Sequence, residues 1–202
     1  MSPETILALA GFAFVMSVSP GPGNFLLLAS GANFGLLRTL PLILGISFGF
    51  LSMVLAVGLG LGQLLHSQPV LTTGLRLACA AYIVWLAWRI AGSRSIGSHS
   101  ADGMETPFTF LQASALQLLN PKAWTVALIV TVSYLPPEAP VSGLLLLIAI
   151  FAAVNIPSIG LWAISGHGLR SFLSAGRRLT VFNITMAFLL IVSMLPTLVS
   201  IS

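Results

Sequence analysis

The chain has 202 residues, 57% of them hydrophobic and 6% charged, whereas soluble domains carry roughly 25% charged residues, so most apolar side chains must face lipid. Eight Lys and Arg against four Asp and Glu give a net charge of +4, but these charges are scattered and form no dense patch of the kind a nucleic-acid partner needs. A single cysteine, Cys79, excludes an internal disulfide and a two-thiol relay.

A spanning helix needs about 20 mainly apolar residues, and six stretches meet that test, at 5–33, 39–65, 70–91, 107–135, 141–165 and 179–200. The first begins Met1-Ser2-Pro3-Glu4, without the basic start of a signal peptide, and is read as a span. In its middle stands Ser19-Pro20-Gly21-Pro22-Gly23-Asn24, where two prolines and two glycines remove donors and weaken the helix. The second span carries Gly45, Gly49, Ser52, Ala56 and Gly60 at helical spacing, a stripe that lets helix backbones approach closely. In the third, Arg76 lies one to two turns from the end and is read as a snorkelling arginine or a contact on the exit side. Residues 92–106 form a Ser/Gly-rich loop joining two halves, 1–91 and 107–202, of one transmembrane domain. The fourth span is interrupted at Leu119-Asn120-Pro121-Lys122. The fifth and sixth hold Asn155 and Asn183, polar groups expected to bond neighbouring helices, with Asn155 also a candidate for the pathway. The predicted class is an all-α membrane protein.

Arg38, Arg89, Arg94, Arg170, Arg177 and Arg178 fall on the 1–2, 3–4 and 5–6 connections, against Arg76 alone on the other side. The positive-inside bias therefore predicts both termini outside the cytoplasm. Three spans per half make the second half inverted relative to the first. Pro20 and Pro121 fall at matching depths, which predicts two inverted repeats whose first helices are broken at mid-membrane, with a substrate site between them.

Lys122 is the ionisable residue nearest the middle of any span. The closest interface is about 15 Å away, and a lysine reaches only about 6 Å, so it cannot snorkel out. A charge there costs at least about 2.5–3.5 kcal/mol. Either it is uncharged, or it faces a wet cavity and takes an anion. A half-helix restarting at Pro22 would offer the amides of Gly23 and Asn24 to the same anion. A carboxylate-bearing amino acid fits both features. The candidate substrate-binding set is Pro20, Gly21, Pro22, Gly23, Asn24, Asn120, Pro121 and Lys122. Three separated histidines and one cysteine give no metal cluster, no cofactor motif is visible, and no nucleophile–base pair points to an enzyme. A channel or a structural membrane protein remains the alternative.

Pro20-Gly21-Pro22 and Asn120-Pro121-Lys122 resemble the two signature motifs of the LysE/RhtB family of amino-acid exporters. Cys79-Ala80-Ala81-Tyr82-Ile83-Val84-Trp85-Leu86-Ala87-Trp88-Arg89 and Trp162-Ala163-Ile164-Ser165-Gly166-His167 resemble the branch of that family handling cysteine and O-acetylserine. The resemblance runs over nearly the whole chain. It implies secondary export of amino acids or close derivatives through the bacterial inner membrane, by proton antiport. A narrow six-span bundle is compatible with a homodimer.

Overall fold

The structure is a computed structural model and describes residues 1–92, 106–136, 140–173 and 177–193; the side chains of 64–66, 69, 76 and 140 are outside that description. The described residues form helices and no strand. Helix α1 (Pro3–Val18) starts on Ser2, whose hydroxyl accepts from the Thr5 amide, with proline in the first turn. A three-residue gap leads to α2 (Pro22–Phe34). One glycine, Gly35 at φ 83°, turns the chain into α3 (Leu36–Ala56); this left-handed conformation is readily open to glycine. A π turn (Val57–Leu61) with Gly60 at φ 116° ends α3 in a kink. Then come α4 (Gly62–Ser67), α5 (Pro69–Gly92), α6 (Phe110–Leu118), α7 (Pro121–Tyr134), α8 (Pro140–Leu173) and α9 (Arg178–Val192).

By length and apolarity, Leu36–Leu61, Val70–Gly92 and Val141–Leu173 can each cross a membrane. Two bent pairs, α1 with α2 at 57° and α6 with α7 at 70°, raise the count to five if each pair is one span. The chain is thus a multi-pass, all-helical membrane protein with three to five candidate spans. The sixth expected span, 179–200, is described only as far as Ser193, and α9 is short at 15 residues. The expected loop 92–106 lies almost wholly outside the described residues. Large apolar side chains such as Leu7, Leu37, Val70, Leu111 and Val132 are more than 70% exposed, as a lipid-facing exterior requires.

Three boundaries differ from the sequence reading. The break expected between the first two spans shrinks to Gly35, because α2 runs on to Phe34, with Gly31 a packing residue inside it, and α3 starts at Leu36. A Cβ on Gly31 would overlap the Ala163 carbonyl of α8, and one on Gly166 would overlap the Leu28 carbonyl of α2. The two glycines therefore seat α2 and α8 backbone to backbone, as small residues do in membranes. For the same reason the fifth helix runs through Gly166 to Leu173 instead of ending at 165. The second span's stripe packs likewise: Gly45 faces the Phe110 carbonyl and Gly49 the Ser114 carbonyl of α6. Third, α3 ends at the Gly60 kink, short of residue 65.

Two apolar cores result. One gathers α2, α3, α5, α6, α8 and α9 around Leu26, Ile83, Ile90 and Leu190. The other gathers α1, α3, α7 and α8 around Leu9, Met53, Val130 and Phe151. Cys79 is a buried member of the first. Gly31→Val is expected to cost about 1–3 kcal/mol, the usual range for overpacking, read as a lower unfolding midpoint in detergent. Gly160→Ala, with nothing within 4 Å of the added carbon, should leave the midpoint unchanged or raise it.

Candidate functional site

A helix end leaves its last four carbonyls without intrahelical donors. At α1 these are Val15, Met16, Ser17 and Val18. The Ser19 amide donates to Val15 O at 2.9 Å and the Ser19 hydroxyl to Met16 O at 3.1 Å. The Asn24 side-chain amide donates to Ser17 O at 2.8 Å, and the Trp162 indole, reaching from α8, to Val18 O at 3.1 Å. All four are satisfied. Asn24 also bonds Ser19 O at 2.8 Å, so one side chain ties α2 back across the gap it follows.

The second break has its own closure. Asn120 caps α7 by accepting from the Lys122 amide at 3.2 Å, and donates to Gln117 Oε1 at 3.1 Å. The Trp124 indole donates to Leu118 O at 2.9 Å, at the end of α6. Both second half-helices open on proline in the first turn, Pro22 and Pro121, where a missing amide costs nothing and φ is already helical. Pro22 and Pro121 are thus the first residues of their helices, and Pro20 lies in the gap between α1 and α2. Proline here starts a helix as much as it breaks one.

The two breaks touch. Lys122 Nζ reaches Ser19 O at 2.6 Å, Ser19 Oγ at 2.8 Å and Pro20 O at 3.4 Å. Its stem lies against Gly21, where a Cβ would come 2.7 Å from Lys122 Cδ. Lys122 is the second residue of α7, the positive end of its own helix dipole, where a cation is disfavoured. By reaching the negative end of α1 it gains carbonyl partners that offset this. All its partners are neutral. Glu4 is the only carboxylate among the described residues, about 22 Å away along α1. The contact to Pro20 O sits at the outer limit of a hydrogen bond, which leaves one of the three ammonium protons to an incoming acceptor. Among the described residues no backbone partner is found for the first-turn amides of Gly23 and Asn24.

These groups border a small cavity of about 60 Å³ that opens to the surroundings, below the size of drug-sized small-molecule sites. Lys122, Asn24, Asn120, Gln117, Ser17 and Asn155 supply its polar wall; Met16, Ile46, Phe50, Val126, Phe151 and Ile159 supply the apolar one. Asn155 in α8 donates to Ser17 Oγ at 2.9 Å and accepts from Ser47 Oγ at 3.0 Å. It therefore both joins helices and borders the cavity. Asn183 accepts from Asn33 at 3.3 Å, away from the cavity.

Of the expected residues, Gly21, Gly23, Asn24, Asn120, Lys122 and Asn155 line this space; Pro20, Pro22 and Pro121 shape the breaks without lining it. The Arg76 side chain lies outside the described residues. Sequence reasoning missed Ser17, Ser47 and Gln117, and it met Trp162 only inside a stretch that carries the family resemblance. Trp162→Phe removes the donor to a buried carbonyl and is expected to cost about 1–3 kcal/mol, measured as a drop in unfolding midpoint. Asn24→Ala, which strips two carbonyls, should cost more.

Relatives point the same way as the motifs. A family model described as LysE type translocator matches residues 14–195. The cysteine/O-acetylserine efflux protein of Escherichia coli K12 is 33% identical over 201 residues, covering 95% of this chain and 96% of that protein. Its counterpart in Escherichia coli O157:H7 is 34% identical over the same shares. No solved structure matches the chain. With a family model over most of its length and curated relatives matched end to end, the chain belongs to the LysE-type translocator family.

Proposed function

We propose that the protein is a secondary exporter of amino acids or close derivatives across the bacterial inner membrane, and not an enzyme. In this reading the cargo carboxylate binds between the two helix breaks. The observation that carries it is the Lys122 ammonium on the wall of the cavity, with neutral partners only. A carboxylate arriving there replaces a long contact to Pro20 O with a shorter bond in which the acceptor is charged as well as the donor. The amides of Gly23 and Asn24, without a partner among the described residues and at the positive end of α2, add to the pull on an anion. Cysteine and O-acetylserine are the cargo that the efflux relatives suggest.

The proposed architecture is one domain of six spans in two inverted halves, 1–91 and 107–202, with both termini outside the cytoplasm. The packing supports it. α1 and α2 pack on α8, α6 and α7 pack on α3, and α5 packs on α9. Exchanging first span with fourth, second with fifth and third with sixth reproduces the same pairing. Substrate-binding roles are proposed for Gly21, Gly23, Asn24, Asn120 and Lys122, with Pro20, Pro22 and Pro121 setting the breaks, and a pathway role for Asn155. Proton antiport is the proposed coupling, and a homodimer the proposed assembly.

The test is uptake of a labelled amino-acid panel into inside-out vesicles, with and without a pH gradient. Lys122→Met is expected to insert normally and to lose uptake; full activity in that variant would remove the carboxylate site. The cavity wall holds a cation and no acid, so small neutral amino acids should compete for uptake while lysine and arginine do not. A channel would show conductance in planar bilayers and no saturable counterflow.

A further inference from the structure

Charged side chains are few in this chain, and two of them, Arg177 and Arg178, stand next to each other at the start of α9. Both are exposed, and they border a groove of about 500 Å³, within the usual range of small-molecule sites. The rest of its wall is apolar: Phe172 and Leu173 from α8, Val181 and Phe182 from α9. Leu173 and Phe182 pack with Ala32 and Leu179, which fixes the floor. The groove stays open because α9 packs mainly on α5 and α2 and only lightly on α8. Little in the protein uses the two guanidinium groups. Arg178 lies over the Phe172 ring, 4.3 Å from its centroid, and its hydrogen bond to Phe172 O is long at 3.4 Å. The Arg177 side chain finds no partner among the described residues. Glu4, the only carboxylate there, opens α1 and pairs with neither.

Beyond this cationic rim the surface turns to hydrocarbon. Val181, Ile184, Phe188 and Ile191 are exposed, and their spacing of three or four residues places them on one face of α9. A cationic rim above an apolar face matches a molecule with an anionic head and an apolar tail. We propose that the groove binds an anionic phospholipid, its phosphate at Arg177 and Arg178 and an acyl chain along that face of α9. Each guanidinium offers a planar fork of donors that fits phosphate oxygens in pairs. The start of α9 is also the positive end of its dipole, and basic pockets at the ends of spanning helices take such head groups. A soluble anion would meet the charges and gain nothing from the apolar face. A zwitterionic lipid brings its own cation to the arginines, which offsets the attraction of its phosphate. The bound lipid fills the space between α8 and α9, and so braces the last helix against the one that carries Trp162 and Asn155. The inference needs membrane residence alone and is independent of what the protein transports.

The experiment adds phosphatidylglycerol, the anionic probe, or phosphatidylcholine, the zwitterionic one, to the protein purified in detergent. Bound lipid is read by native mass spectrometry, and the unfolding midpoint is measured alongside. Wild type is expected to retain phosphatidylglycerol in preference and to unfold at a higher midpoint with it than with phosphatidylcholine. One arginine near a head group is worth about fivefold in binding, so Arg177→Gln combined with Arg178→Gln predicts a fall of about 30-fold and loss of the midpoint gain. Both side chains are exposed, so the lipid-free midpoint should stay at the wild-type value. Arg177→Lys combined with Arg178→Lys keeps the charge and should keep most of the binding, which separates head-group attraction from any effect on folding. Arg38→Gln removes an exposed arginine outside the groove and should bind as wild type does. Equal retention of the two lipids by wild type, or undiminished phosphatidylglycerol binding in the double glutamine variant, would overturn the inference. An equal loss in Arg38→Gln would also overturn it, because overall charge would then be the cause. Inorganic phosphate reproducing the midpoint gain would do the same, since the apolar face would then play no part.

Discussion

Four backbone carbonyls released where α1 stops, in a chain whose exterior is hydrocarbon, set the main constraint on this structure. Lipid offers them no donor, and an unsatisfied polar group there costs several kcal/mol. The break is possible because side chains from three places converge on it: Ser19 from the gap, Asn24 from the next helix and Trp162 from α8. Lys122 then takes the carbonyl of Ser19 itself. The interruption of α1 is thus held by tertiary contacts, and the same contacts bring the second break against it.

The close seating of α2 on α8 follows from the same requirement. Trp162 can reach Val18 O only because α8 runs alongside the first helix pair, and Gly31 with Gly166 permit that approach. Asn155, two turns earlier on α8, joins Ser17 of α1 to Ser47 of α3. One long helix therefore carries the indole that caps the break, the glycine that sets its distance and the amide that ties its neighbours. The cavity is what remains between the two apolar cores: Ile46 and Ile159 come from one, Phe50, Val126 and Phe151 from the other.

Lys122 sits at the wrong end of its own helix for a cation, and in the midst of apolar walls. Such placements lower stability and persist where they serve a function. Here the structural benefit is partial, since the ammonium finds three neutral oxygens and no carboxylate among the described residues. A lysine that only capped a helix could be replaced by a polar, uncharged side chain at lower desolvation cost.

Membrane residence, helical class, the positions of both breaks and the stranded lysine were legible in the amino-acid sequence, because apolar run length, proline chemistry and missing charges are local properties. What closes each break was not. The partners of the α1 carbonyls lie as far as 144 residues away along the chain, and no spacing rule links an indole in one helix to a carbonyl in another. Nothing in one dimension pairs the glycines at 31 and 166, the second just past the expected end of its span; they became a helix contact only when their two helices met. That α2 and α7 open on Pro22 and Pro121 likewise depended on where each new helix begins, which is decided by capping geometry in three dimensions and not by composition.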